Sequence, residues 1–177
     1  FLSLIILVPS LNIFMSFKNW LNEDLAALTK SNDVQDRGDR VIELGVEKVK
    51  LRPNPDNNTL LVKANVHGVT DNYECGIEFN NVNFLDHRSD GKVDFGNFLI
   101  KAPDGGKYII DKLGIQGNDV RVSCTCVDFQ SRFAIPNSRQ DALLGTPKYS
   151  FVKYKNTGIC KHLWKTLNYL KNKGILT

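Results

Sequence analysis

The stretch VRVSCTCVDF, Val120 to Phe129, sets two cysteines one residue apart inside an alternating apolar run. After residues 127–159, 33 in all, Cys160 and His162 follow with the same spacing in GICKHLWKTL. The whole chain holds four cysteines and three histidines, so these two short pairs use most of its soft-metal donors. In a strand, Val120, Val122, Cys124 and Cys126 point to one side. Two thiols so placed reach one tetrahedral ion together and are badly set to bond to each other. Cys160 and His162 come just after Gly158, at the expected start of a helix whose buried stripe is Leu163, Leu167 and Leu170. Gly174 is placed to end that helix.

Three thiolates and one imidazole form a closed four-donor set of the kind that holds structural zinc, Zn2+. Thiolates disfavour magnesium and calcium, which prefer oxygen. The expected metal ligands are Cys124, Cys126, Cys160 and His162. The long gap does not defeat the site: each doubling of a loop costs only ~0.6 kcal/mol, whereas zinc in small fingers contributes on the order of 10–16 kcal/mol. The competing reading is that these are small buried residues of a core, since free cysteine is commonly buried. Cys75 lies on another strand and is expected to be core packing. His67 and His87 are expected at the surface.

Working outward, the chain reads as an α+β fold with a mostly antiparallel sheet. Ser16 is placed to cap a helix to about Lys30, with Trp20, Leu21, Leu25 and Leu28 at helical spacing. SNDVQDRGDR, 31–40, is polar and reads as a linker. From Val41 the period becomes two: VIELGVEKVKL, a turn at RPNPDNN, then a returning strand at TLLVKANVHGV. YECGIEFNNVNF, 73–84, puts Tyr73, Cys75, Ile77 and Phe79 on one face. FGNFLI and KYIIDKLGI are further strands separated by the turn signal PDGGK.

This gives three segments. Residues 1–14 are uncharged, mostly apolar and contain Pro9. A membrane span needs about 20 such residues, so no membrane association is expected. With Met15 the sole methionine, translation is expected to begin there and residues 1–14 to be non-native, a truncated signal sequence being the alternative. Residues 15–119 form the N-terminal helix and β-rich body. Residues 120–177 form a zinc-binding subdomain. Four scattered cysteines are few for a secreted scaffold, so the expected setting is cytoplasmic.

The pattern Cys-x-Cys, a variable gap, then Cys-x-His resembles the SWIM zinc finger. CTCVDF…GICKHL looks like that family's CxCxDF…CKHL core. The resemblance covers about residues 120–170. It implies a first ligand pair on a β-hairpin, a second at a helix start, Phe129 packed under the site and Asp128 capping or orienting backbone near it. Val127 stands where proline is common, and the gap is longer than in most members. The segment CVDFQSRFA with its basic, proline-containing insert is also similar to SWIM-like proteins of large tailed phages, some of them virion-associated. That resemblance would place the chain in host cytoplasm or virion.

Charge is uneven. Residues 1–118 carry 13 Lys/Arg against 16 Asp/Glu, and residues 119–177 carry 10 against 3, a shift from −3 to +7. Arg132, Arg139, Lys148, Lys153, Lys155, Lys161 and Lys165 are interleaved with Phe133, Tyr149, Phe151 and Tyr154. Cations among aromatics bind phosphates and stack on bases. A non-enzymatic protein that binds DNA or RNA is therefore expected. The alternative is a phage structural or assembly protein in which zinc stabilises a contact with a protein partner. An enzyme finds no support in the motifs: there is no Gly-rich phosphate loop, no nucleophile elbow and no paired carboxylate cluster.

Overall fold

The computed structural model describes residues 44–68, 70–85, 96–114, 118–150 and 157–176. The expected N-terminal helix, the 31–40 linker and His87 lie outside them, as do Phe151, Lys153, Tyr154 and Lys155.

Period-two patterning becomes strands where expected. β1 (Gly45–Asn54), β2 (Thr59–His67) and β3 (Asn72–Phe79) form an antiparallel meander. The first turn is a short 3-10 segment at Pro55–Asn57, with Asn58 in the left-handed conformation at φ 52°. Short β4 (Phe84–Leu85), β5 (Asn97–Lys101) and β6 (Lys107–Asp111) build a second antiparallel sheet in the order β4-β6-β5. The chain then returns to the first sheet as β7 (Val120–Cys124), antiparallel to β3, completing the order β1-β2-β3-β7. Two antiparallel sheets and three helices make this an α+β fold among the described residues.

One face of the larger sheet is apolar and buried. Leu60, Val62, Ala64 and Val66 of β2, Cys75, Ile77 and Phe79 of β3, and Val120, Val122 and Cys124 of β7 all turn inward. Helix α3 (Lys161–Asn172) lies against this sheet and supplies Leu163, Leu167 and Leu170, the expected stripe. It ends at Gly174, whose φ of 71° suits glycine, and Leu113 N–H donates to the Ile175 carbonyl just beyond. Ile175 and Leu176 are thereby tied to Leu113, just after β6.

The segment after β7 departs from the hairpin that the family resemblance implies. The strand stops at Cys124, and Cys126 becomes the N-cap of helix α1 (Val127–Arg132). A second short helix, α2 (Ala134–Arg139), follows directly, with Pro136 tolerated in its first turn. The physical cause is local. The Cys126 sulfur accepts the Phe129 N–H at 3.3 Å, and Gln130 Nε2 donates to the Cys124 carbonyl at 2.7 Å, so the chain folds back on itself. Residues 142–144 then return along the free edge of β7, with Val122 N–H donating to Ala142 and Leu144 N–H donating to Val122. Gly76 allows this strap to approach the outer face: a Cβ there would meet Ser123 Oγ at 2.6 Å and Leu144 Cδ2 at 2.9 Å.

Candidate metal centre

The four expected ligands converge. Cys124 ends β7, Cys126 caps α1, Cys160 caps α3, and His162 lies in the first turn of α3. All four are buried, and their donor atoms lie within 4.8 Å of one another. His162 presents Nδ1, at 3.9 Å from Cys124 Sγ and 3.8 Å from Cys160 Sγ. Donors at zinc bond lengths of about 2.3 Å in a tetrahedron stand roughly 3.8 Å apart. The set therefore fits one tetrahedral ion, and its chemistry suits zinc.

Electrostatics point the same way. The Cys126 thiol is pushed down by the neighbouring Cys124 thiol, helped by Cys160, His162 and the Phe129 N–H. Cys124 is pushed up, chiefly by Cys126, and Cys160 is pushed up by its burial. The pocket by itself supports negative charge on one sulfur at the expense of the others. A divalent cation removes that conflict, because each coordinated thiol loses its proton. Without a cation, the Cys126 neighbour keeps Cys124, and burial keeps Cys160, in the neutral thiol form.

The surrounding shell is built to aim these donors. Asn137, fully buried on α2, grips Gly158 twice: its Nδ2 donates to the Gly158 carbonyl at 2.9 Å and its Oδ1 accepts the Gly158 N–H at 2.8 Å. That clamp closes the insert at its base and delivers Ile159 and Cys160 to the site. Gln130 holds the Cys124 carbonyl with one end of its amide and accepts the Lys148 N–H with the other. The Tyr73 ring stacks on His162 with centroids 4.2 Å apart and planes tilted by 31°. Cys160 makes no side-chain cap bond to its helix, leaving its sulfur for the cluster.

Cys75 belongs with this shell as well as with the core. It pairs directly with Cys124 across β3 and β7, and its thiol donates to Cys124 Sγ at 3.7 Å. It is not one of the four mutually close donors. Sequence spacing gave no sign of this contact, because the pairing spans 49 residues. Asn137 and Gln130 also carried no sequence signal beyond being polar residues in a basic insert. Phe129 is fully buried beside the cluster, as the motif implies. Asp128 lies in the first turn of α1, where its Oδ1 accepts from Arg132 Nη1 at 3.2 Å. His67 stands half-exposed, 2.9 Å from Glu47.

The basic residues are dispersed. Lys161 and Lys165 share a half-buried face of α3, with exposed Lys171 and Lys173 further along. Arg139 and Lys148 are exposed, and Tyr149 beside Lys148 is an exposed aromatic. Arg132 is half-buried, paired with Asp128 and set over the Phe133 ring. No helix of the described residues is long and apolar enough to cross a membrane.

No protein-family profile, no curated protein and no solved structure matches this chain. The buried Cys3His cluster suggests a zinc-binding site by its own geometry.

Proposed function

We propose that this is a non-enzymatic structural-zinc protein of SWIM type that binds nucleic acid through its basic C-terminal segment. The observation that carries the reading is the union of the Cys3His cluster with the start of α3, whose sequence KHLWKTLNYLKN bears three lysines, Lys161, Lys165 and Lys171, and no acidic residue, with Lys173 just beyond its end. The ion would be held by Cys124, Cys126, Cys160 and His162. Bound, it would cross-link the end of β7 to α3 and hold the lysine-bearing helix at a fixed angle. Four protein donors leave no coordination position for substrate or water, which favours a structural over a catalytic ion. Lys161 and Lys165, with Arg139, Lys148 and the Tyr149 ring, offer phosphate contacts and one stacking surface. Arg132 is already engaged by Asp128 and contributes less.

The test is binding to a fluorescent single-stranded DNA and its RNA counterpart across a salt series. Affinity falling steeply with salt, with a log–log slope of about −2 or steeper, supports the reading, since each neutralised phosphate on a single strand contributes about −0.7. Absence of binding at low salt would favour the assembly reading, in which zinc stiffens a contact with a protein partner.

A further inference from the structure

We infer that Cys75 and Cys124 form an oxidation site: a thiol pair that closes to a cross-strand disulfide when peroxide acts on the cluster, removing one metal donor. Three observations on the backbone and side chains support it. The two residues are directly opposite in the β3–β7 register. The flanking ladder bonds, Thr125 N–H to Glu74 and Asn80 N–H to Asp119, belong to the alternate pairs, so Cys75 and Cys124 form a non-hydrogen-bonded pair. In such pairs the Cα atoms stand about 4.5 Å apart with side chains close, within the roughly 4.4–6.8 Å range that a disulfide spans. Their sulfurs are already 3.7 Å apart on the same buried face.

The other thiols are worse partners for Cys124. Cys126 is two residues away, and its sulfur is held as the cap acceptor for Phe129 N–H. Cys160 arrives on α3, where Asn137 fixes its approach through Gly158. Cys75 stands outside the donor set, so an ion leaves its thiol unconsumed.

The chemistry balances with hydrogen peroxide as oxidant. The Cys124 thiolate attacks one peroxide oxygen, the O–O bond breaks, and hydroxide leaves and takes a proton as water. Cys75 sulfur then attacks the sulfenic sulfur of Cys124; the S–S bond forms, the S–O bond breaks, and a second water leaves with the Cys75 proton. Two thiols lose two electrons and one peroxide gains them. The cluster is left with Cys126, Cys160 and His162, an incomplete set that releases its ion until reductant restores Cys124.

This goes beyond the metal reading and is decided separately from it. Purified protein is titrated with hydrogen peroxide beside a chromogenic zinc chelator, then alkylated and mapped by mass spectrometry without reduction. The expected result is a dominant Cys75–Cys124 linked peptide, Cys126 and Cys160 alkylated, one zinc released per link, and full zinc uptake after reduction. Cys75→Ala is expected to retain its zinc at peroxide doses several-fold higher. Links confined to Cys124, Cys126 and Cys160, an alkylated Cys75, or four thiols unchanged would each overturn the inference. Protein purified without metal would undo the zinc reading, while the linked peptide would still decide this one.

Discussion

The β1–β2–β3 meander and the segment from Cys124 to Gly174 are held together by different physics. In the meander, the period-two pattern puts an apolar row, Leu60 to Val66 and Cys75 to Phe79, on one face, and the ladder pairs the backbone along its length apart from one irregularity between Glu47 and Lys50 of β1. Removing any one contact leaves its neighbours in place. The C-terminal segment has two short helices, a long insert and one helix of real length. Beyond the apolar core it shares with the sheet, its parts are joined by a few polar points: the Cys3His cluster, the Asn137 clamp and the Gln130 bridge. Stability there is concentrated, so single substitutions should have large effects, whereas the meander should spread them.

The largest effect belongs to the cluster. Cys160→Ser or His162→Ala leaves three donors. If about a quarter of the roughly 10–16 kcal/mol of a structural zinc is lost, affinity falls by about 60- to 700-fold. Hydrogen exchange should then show lost protection in α1, α2 and the first turn of α3, with β1–β3 amides protected much as before. Equal loss in both regions would erase the contrast.

Asn137→Ala comes next. It leaves the buried Gly158 N–H and carbonyl without their partner, at about 1–3 kcal/mol per group. Thermal unfolding should move down by several degrees, and zinc affinity should fall because Cys160 is no longer aimed. A change in stability with unchanged metal affinity would confine Asn137 to a packing role. Gly76→Ala sharpens the comparison from the meander side. Its methyl would press on Ser123 and Leu144, costing about 1–3 kcal/mol, and should free the 142–144 strap without disturbing metal content. The smallest effect on stability is expected from the Lys161→Ala/Lys165→Ala pair on α3: within about 0.5 kcal/mol. The same pair should make the salt slope of DNA binding shallower by roughly 1–1.5.

The contrast also explains what sequence could reveal. Strand faces were legible because burial on one side forces alternation, as at Cys75, Ile77 and Phe79. The α3 stripe was legible because three turns give a 3.6-residue period room to recur. Helices α1 and α2, with six residues each, are too short for any period, and Cys126 acts as cap where alternation suggested more strand. The ligand set was legible from two local Cys/His pairs. The elements that aim it were not, since Asn137–Gly158 and Cys75–Cys124 are contacts made by the finished fold across 21 and 49 residues.

X-ray absorption at the zinc edge, on protein purified without added metal, reads the donor set directly. Three sulfurs near 2.3 Å and one nitrogen near 2.0–2.1 Å around a stoichiometric ion is the expected result. A shell of oxygens, or protein that carries no tightly held ion, would contradict a centre built from Cys124, Cys126, Cys160 and His162.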